Sequence, residues 1–97
     1  MTVEDLKEIA PKMNDAFKSL IKNKHLYITS FFYPAEAGYP DRILVQGIKN
    51  LRTTGKFGPA DLQAVDKIVY GFVDDSLTLK RLNINDPCIY NLLITVK

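Results

Sequence analysis

Ninety-seven residues carry 46% hydrophobic and 25% charged side chains, one cysteine and a formal charge of +2. That length makes one domain able to bury its own core, and the balance is that of a soluble globular chain, not a disordered or fibrous one. No stretch approaches the roughly 18 uncharged apolar residues of a membrane span, a single thiol excludes an internal disulfide or a thiolate metal cluster, and so small a charge does not by itself announce a polyanionic partner.

The opening segment, MTVEDLKEIA, is acidic and lacks the apolar run of a secretory or transit peptide, so a cytoplasmic location is expected. Val3, Leu6, Ile9, Ala10, Met13, Ala16, Phe17, Leu20 and Ile21 then recur at the spacing of one helix face. Thr2 with Asp5 three residues on has the form of a capping box. Glu4, Asp5 and Glu8 stand at the start and Lys18, Lys22 and Lys24 at the end, in the sense the helix dipole favours. Pro11 removes the bond to the Lys7 carbonyl, which predicts one bent helix, since the apolar stripe stays in phase across it.

LYITSFFY, residues 26–33, is β-branched and aromatic and reads as a strand. PAEAGYPD, 34–41, is a loop. RILVQGIKNL, 42–51, is a second strand, antiparallel to the first, in which Gly47 marks a bulge or a close backbone approach. A second helix follows, with Gly58 as N-cap, Pro59 at its first position and Asp61 in its first turn. Phe57 and Leu62 have the spacing of a hydrophobic staple, Val65, Ile68, Val69 and Phe72 continue the stripe, and Asp74 and Asp75 stop the helix near Gly71. SLTLKRLNI, 76–84, slips phase between Leu79 and Leu82 and reads as a bulged strand, with a short helix as the competing form. NDP, 85–87, is a turn, and CIYNLLITVK, 88–97, is the last strand.

The order α-β-β-α-β-β specifies an α+β fold, a four-stranded antiparallel sheet with both helices mainly on one face. Antiparallel sheets commonly keep one wet face, yet here both sides of the strands are apolar. Tyr27, Phe31 and Tyr33 oppose Leu26, Ile28 and Phe32; Leu44 and Ile48 oppose Ile43, Val45 and Leu51; Ile89 and Leu93 oppose Tyr90, Leu92, Ile94 and Val96. Two helices cover one face only, so the other calls for a partner, a second copy or the first helix wrapping around it.

That imbalance points to a non-catalytic protein-interaction module of adaptor, regulatory or inhibitor type, homodimeric, with Phe31, Tyr33, Tyr39, Leu44 and Ile48 as interface residues. The alternative is a nucleic-acid or phosphoanion binder. Between Asp41 and Asp61 there is no acidic residue, while Arg42, Lys49, Arg52 and Lys56 fall there and Gly58 opens a helix whose free N–H groups attract anions. Tyr39 and Phe57 would then stack on bases. TTGKFGP does not have the glycine spacing of a P-loop, and four cations are few beside the contacts of strong nucleic-acid binders.

An enzyme is the minority reading. His25, the lone histidine, has the place of a helix-terminal residue; Cys88 reads as a small strand-start hydrophobe, its only possible base being that histidine; Asp74, Asp75 and Asp86 sit at turns and lack the spacing of a calcium loop. No cofactor, metal or membrane contact is expected.

Overall fold

A computed structural model describes residues 1–50 and 55–97. The elements are α1 (Val3–Lys24), β1 (Leu26–Tyr33), β2 (Arg42–Lys49), α2 (Pro59–Tyr70), β3 (Leu77–Leu82) and β4 (Ile89–Val96). The strands form one antiparallel sheet in the order β1-β2-β4-β3. The expected α+β architecture is therefore present. Leu51, the last residue of the expected second strand, and Arg52 lie outside the described residues.

Both helix starts follow the chemistry of their capping residues. Thr2 accepts the Asp5 N–H at 3.3 Å while Asp5 Oδ2 accepts the Thr2 N–H at 2.7 Å, which completes a capping box. α1 is a continuous helix of 22 residues through Pro11. It ends at His25, in the left-handed region at φ 56°, whose N–H returns to the Leu20 carbonyl. α2 opens with extended Gly58 followed by Pro59, and Asp61 Oδ2 accepts the Gly58 N–H at 3.0 Å.

The core lies between the helices and one face of the sheet. From α1 come Leu6, Ile9, Met13, Phe17 and Leu20, from α2 Val65 and Val69. They meet Leu26, Ile28, Ile43, Val45, Leu77, Tyr90, Leu92 and Ile94, which share the inner face by strand alternation. Each such large side chain, fully buried, contributes about 1.5–3 kcal/mol. The fold therefore rests on this layer, and the faces read from the alternation of β1, β2 and β4 are the faces observed.

Two local expectations are corrected or resolved. The register from Leu77↔Val96 to Leu82↔Asn91 is unbroken, so β3 carries no bulge. The apparent phase slip arises because Leu82 lies on the outer face and Ile84 beyond the strand, while Arg81 takes the inner position. Gly47 is likewise in unbroken register with Ile28 and Tyr90, so it marks a close approach and not a bulge. A Cβ there would lie 1.9 Å from Ile28 Cδ1.

Candidate functional site

Among the described residues no helix packs on the outer face of the sheet; the buried apolar residues of α1 and α2 all belong to the inner layer. Cross-strand register arranges the outer side chains in rows. Phe31, Leu44 and Leu93 form one row, Tyr27, Ile48 and Ile89 another, and Thr29, Gln46 and Asn91 the polar row between them. Tyr33 and Arg42 are paired beyond the first row. Across β1, β2 and β4 the face is thus two apolar bands separated by a polar one; on β3, Lys80 continues the Phe31 row and Leu82 the polar row. Large hydrophobic area stays in water on it: Phe31 is 51% exposed, Tyr33 38% and Ile89 39%.

The richest corner of this face is built around Arg42. Its guanidinium lies 5.3 Å from the centroid of the Tyr33 ring and 4.9 Å from that of Tyr39, in cation–π contact with both. Glu36 pairs with it at 2.9 Å, and it donates to the Pro40 carbonyl at 3.2 Å. Glu36 and Tyr39 exchange both backbone hydrogen bonds, at 3.1 and 2.8 Å, so the β1–β2 loop folds back as a small bridge that holds Tyr39 against the guanidinium. Asp41 steadies the loop by accepting the Ala35 N–H at 3.0 Å. Phe31 lies beside this group, its ring centroid 6.5 Å from that of Tyr33. Two tyrosines, an arginine and a phenylalanine held in fixed geometry have the composition of an interface hot spot.

Of the residues singled out from sequence for an interface, Phe31, Tyr33, Tyr39 and Leu44 come together at this corner. Ile48 shares the face but stands in the far apolar row with Tyr27 and Ile89. Leu93 completes the Phe31–Leu44 row and was absent from the expected interface set. Alternation alone puts it on the Ile89 side of β4, but only the β2–β4 register makes it the neighbour of Leu44.

Among the described residues the basic set does not assemble. Arg42 and Lys49 stand at opposite ends of β2, about 23 Å apart at ordinary strand rise. Lys49 and Gly58 do meet, around a carboxylate: Asp61 Oδ2 takes the Lys49 Nζ at 2.9 Å and the Gly58 N–H at 3.0 Å. The hydrogen bond from Lys49, then that from the Gly58 backbone, hold the Asp61 carboxyl below its ordinary value against the opposing effect of burial. The N-terminus of α2 therefore already holds an anion supplied by the chain itself. Lys56 is exposed nearby, and Arg52 lies outside the described residues. Phe57 is buried, 6.1 Å from the Tyr90 ring, and has no face to offer a base.

The remaining polar groups tie elements together. Asp66 on α2 takes Arg81 on β3 through both carboxylate oxygens, at 2.8 and 3.0 Å, and accepts the Tyr90 hydroxyl from β4 at 2.8 Å. Burial first, then this hydrogen bond to a carboxylate, push the Tyr90 phenol well above its usual 10. Nothing in the sequence pattern flagged this triad, because its members are far apart along the chain. His25 caps α1, and Cys88, half-buried, donates its N–H to Asp86 Oδ1 at 2.9 Å. Asp74 accepts from the Ser76 N–H at 2.8 Å, a turn role like that of Asp86. Among the described residues no group of three metal-ligating side chains gathers, and no helix is long and apolar enough to cross a membrane. No family model, curated protein or solved structure matches this chain.

Proposed function

We propose that the chain is a non-catalytic protein-interaction module that pairs with a second copy of itself through the outer face of its sheet. One observation carries this reading: the two apolar rows and the Tyr33–Arg42–Tyr39 corner lie in water on the side no helix covers. A single chain gains nothing by leaving such a band exposed, whereas burial rewards it at about 25 cal/mol per Å².

The order of the rows favours a second copy as occupant. A two-fold axis along the polar row sets Phe31, Leu44 and Leu93 against the copy's Tyr27, Ile48 and Ile89. It also sets the exposed Gln46 amide against the copy's Gln46, and such amides can donate and accept in turn. Across β1, β2 and β4 apolar thus meets apolar and polar meets polar. The role of an adaptor or regulator follows from such a pair presenting its remaining surfaces twice.

Light scattering during size-exclusion chromatography at micromolar concentration tests it. A dimer is expected. Tyr33→Asp weakens it by about thirtyfold or more, the effect of losing about 2 kcal/mol at a hot spot, and leaves the helical circular dichroism unchanged. A wild-type chain that stays monomeric overturns the reading.

A further inference from the structure

The two open edges of the sheet are finished differently. On β1, the bond from the Asn50 N–H to the His25 carbonyl, 2.9 Å, fixes which residues exchange hydrogen bonds with β2. Ser30 falls among those whose backbone faces away. Its N–H and carbonyl are both taken by the side-chain amide of Asn14, at 2.6 and 2.8 Å. An incoming strand would need those two groups, so α1 closes this edge at its middle. On β3, the bond from the Lys97 N–H to the Ser76 carbonyl, 3.0 Å, fixes the same alternation. Thr78, Lys80 and Leu82 exchange bonds with β4, and Leu77, Leu79 and Arg81 turn their backbone outward. The Leu77 N–H returns to the Asp74 carbonyl at 3.2 Å. Among the described residues no side chain does for Leu79 or Arg81 what Asn14 does for Ser30.

The geometry points to the β3 edge as a strand-addition site for an extended peptide segment of another protein that sets a carboxylate opposite Lys80. The outward N–H and carbonyl groups of Leu79 and Arg81 supply the ladder. Lys80 supplies the selection. It is exposed on the outer face and has no carboxylate partner among the described residues, whereas its neighbour Arg81 is committed to Asp66. Because its own backbone bonds turn to β4, Lys80 sits at a position of the new ladder where facing side chains come closest. On the inner side the added strand would cover Leu79, which the core leaves only partly buried, so the residues flanking the acid are apolar. A second copy of β3 fits poorly. Two-fold antiparallel pairing centred on Leu79, Lys80 or Arg81 sets Lys80 opposite its copy or one diagonal from it, and facing like charges oppose such pairing. Lys80 stands beside Leu93 at the border of the outer face, but the Leu79 and Arg81 backbone groups point out of the sheet edge, so the inference does not depend on the dimer.

The test is an amide NMR titration of the full chain with a capped peptide, Thr-Val-Glu-Val-Thr, and with the same peptide carrying Lys in place of Glu. Expected are shifts and slowed hydrogen exchange at the Leu79 and Arg81 amides, with the Glu peptide bound about fivefold more tightly than the Lys peptide. Lys80→Glu reverses that order. Stationary Leu79 and Arg81 amides at millimolar peptide overturn the inference, as does an equal response to both peptides. Shifts confined to Phe31, Tyr33 and Leu44 overturn it too while leaving the dimer standing, and a monomeric chain that still binds the Glu peptide at β3 does the reverse.

Discussion

The side-chain amide of Asn14 on α1 grips the backbone of Ser30 on β1 from both sides, with Nδ2 donating to the Ser30 carbonyl and Oδ1 accepting the Ser30 N–H. The Ser30 hydroxyl completes the contact by donating to the Ala10 carbonyl at 2.6 Å. One helical residue thus stands in for the missing neighbour strand, and the longest helix is fixed in register against the sheet edge. Asn14→Ala leaves two part-buried backbone groups without partners, each costing about 1–3 kcal/mol. Urea unfolding should show a loss of about 2 kcal/mol or more, and hydrogen exchange at the Ser30 amide should become faster than in the wild type.

Gly47 is required by space. A Cβ at this position would meet Ile28 Cδ1 at 1.9 Å and the Tyr27 carbonyl oxygen at 2.9 Å. Gly47→Ala is expected to destabilise by about 1–3 kcal/mol, the range for overpacking. In an Ile28→Val background the penalty shrinks, because Cδ1 is gone, but it does not vanish, because the carbonyl stays. A double-mutant cycle by denaturant unfolding measures the difference.

Acid should weaken the entry to α2. The folded Asp61 carboxyl is held below the 3.8 of the free group, chiefly by Lys49. A depressed folded value contributes stability that is present above pH 3.8 and lost as pH falls through the lower folded value. Asp61→Asn is therefore less stable than wild type at neutral pH and declines less steeply on acidification. Some decline remains, since Asp5 and Asp74 are lowered as well, by Thr2 and Ser76. Urea midpoints compared at neutral pH and at about pH 3 check this.

Alkali should act through Tyr90. Its folded value is raised above 10, so its contribution is complete below pH 10 and is lost as pH climbs from there toward the folded value. Tyr90→Phe loses the hydrogen bond to the Asp66 carboxylate, a cost of about 1.5–3 kcal/mol at neutral pH. The variant should also show a shallower fall in stability between pH 10 and pH 11 than the wild type, followed by circular dichroism.

Asn91 makes the opposite prediction. It is 8% exposed in the polar row, and among the described residues its Oδ1 has no hydrogen-bond partner. Such a buried group costs about 1–3 kcal/mol. Asn91→Leu should raise the thermal midpoint of the isolated chain, and a fall would show that the amide is satisfied.

Local chemistry was legible in the residues. Thr2 with Asp5, Gly58 with Pro59, and His25 after the lysines fixed the helix ends because capping is settled within one turn of chain. The two-residue alternation of β1, β2 and β4 fixed which side chains of each strand share a face, and the β1–β2 register then joined Phe31 and Tyr33 with Leu44 and Ile48 on one side. The phase slip in 76–84 misled for the same reason: Ile84 belongs to the next loop, and a short window could not tell a bulge from a strand end.

By itself the sequence determined the kinds of element, their order and the two-sided apolar character of the strands, since these follow from steric preference and spacing along the chain. Only the tertiary structure decided the strand order β1-β2-β4-β3, and with it the Leu44–Leu93 row, the Asp66–Arg81–Tyr90 tie, the Asn14 closure of one edge and the openness of the other. Those relations join residues distant in sequence. Hydrophobic burial rewards the layer without specifying who neighbours whom, and register and the pairing of buried polar groups make that choice.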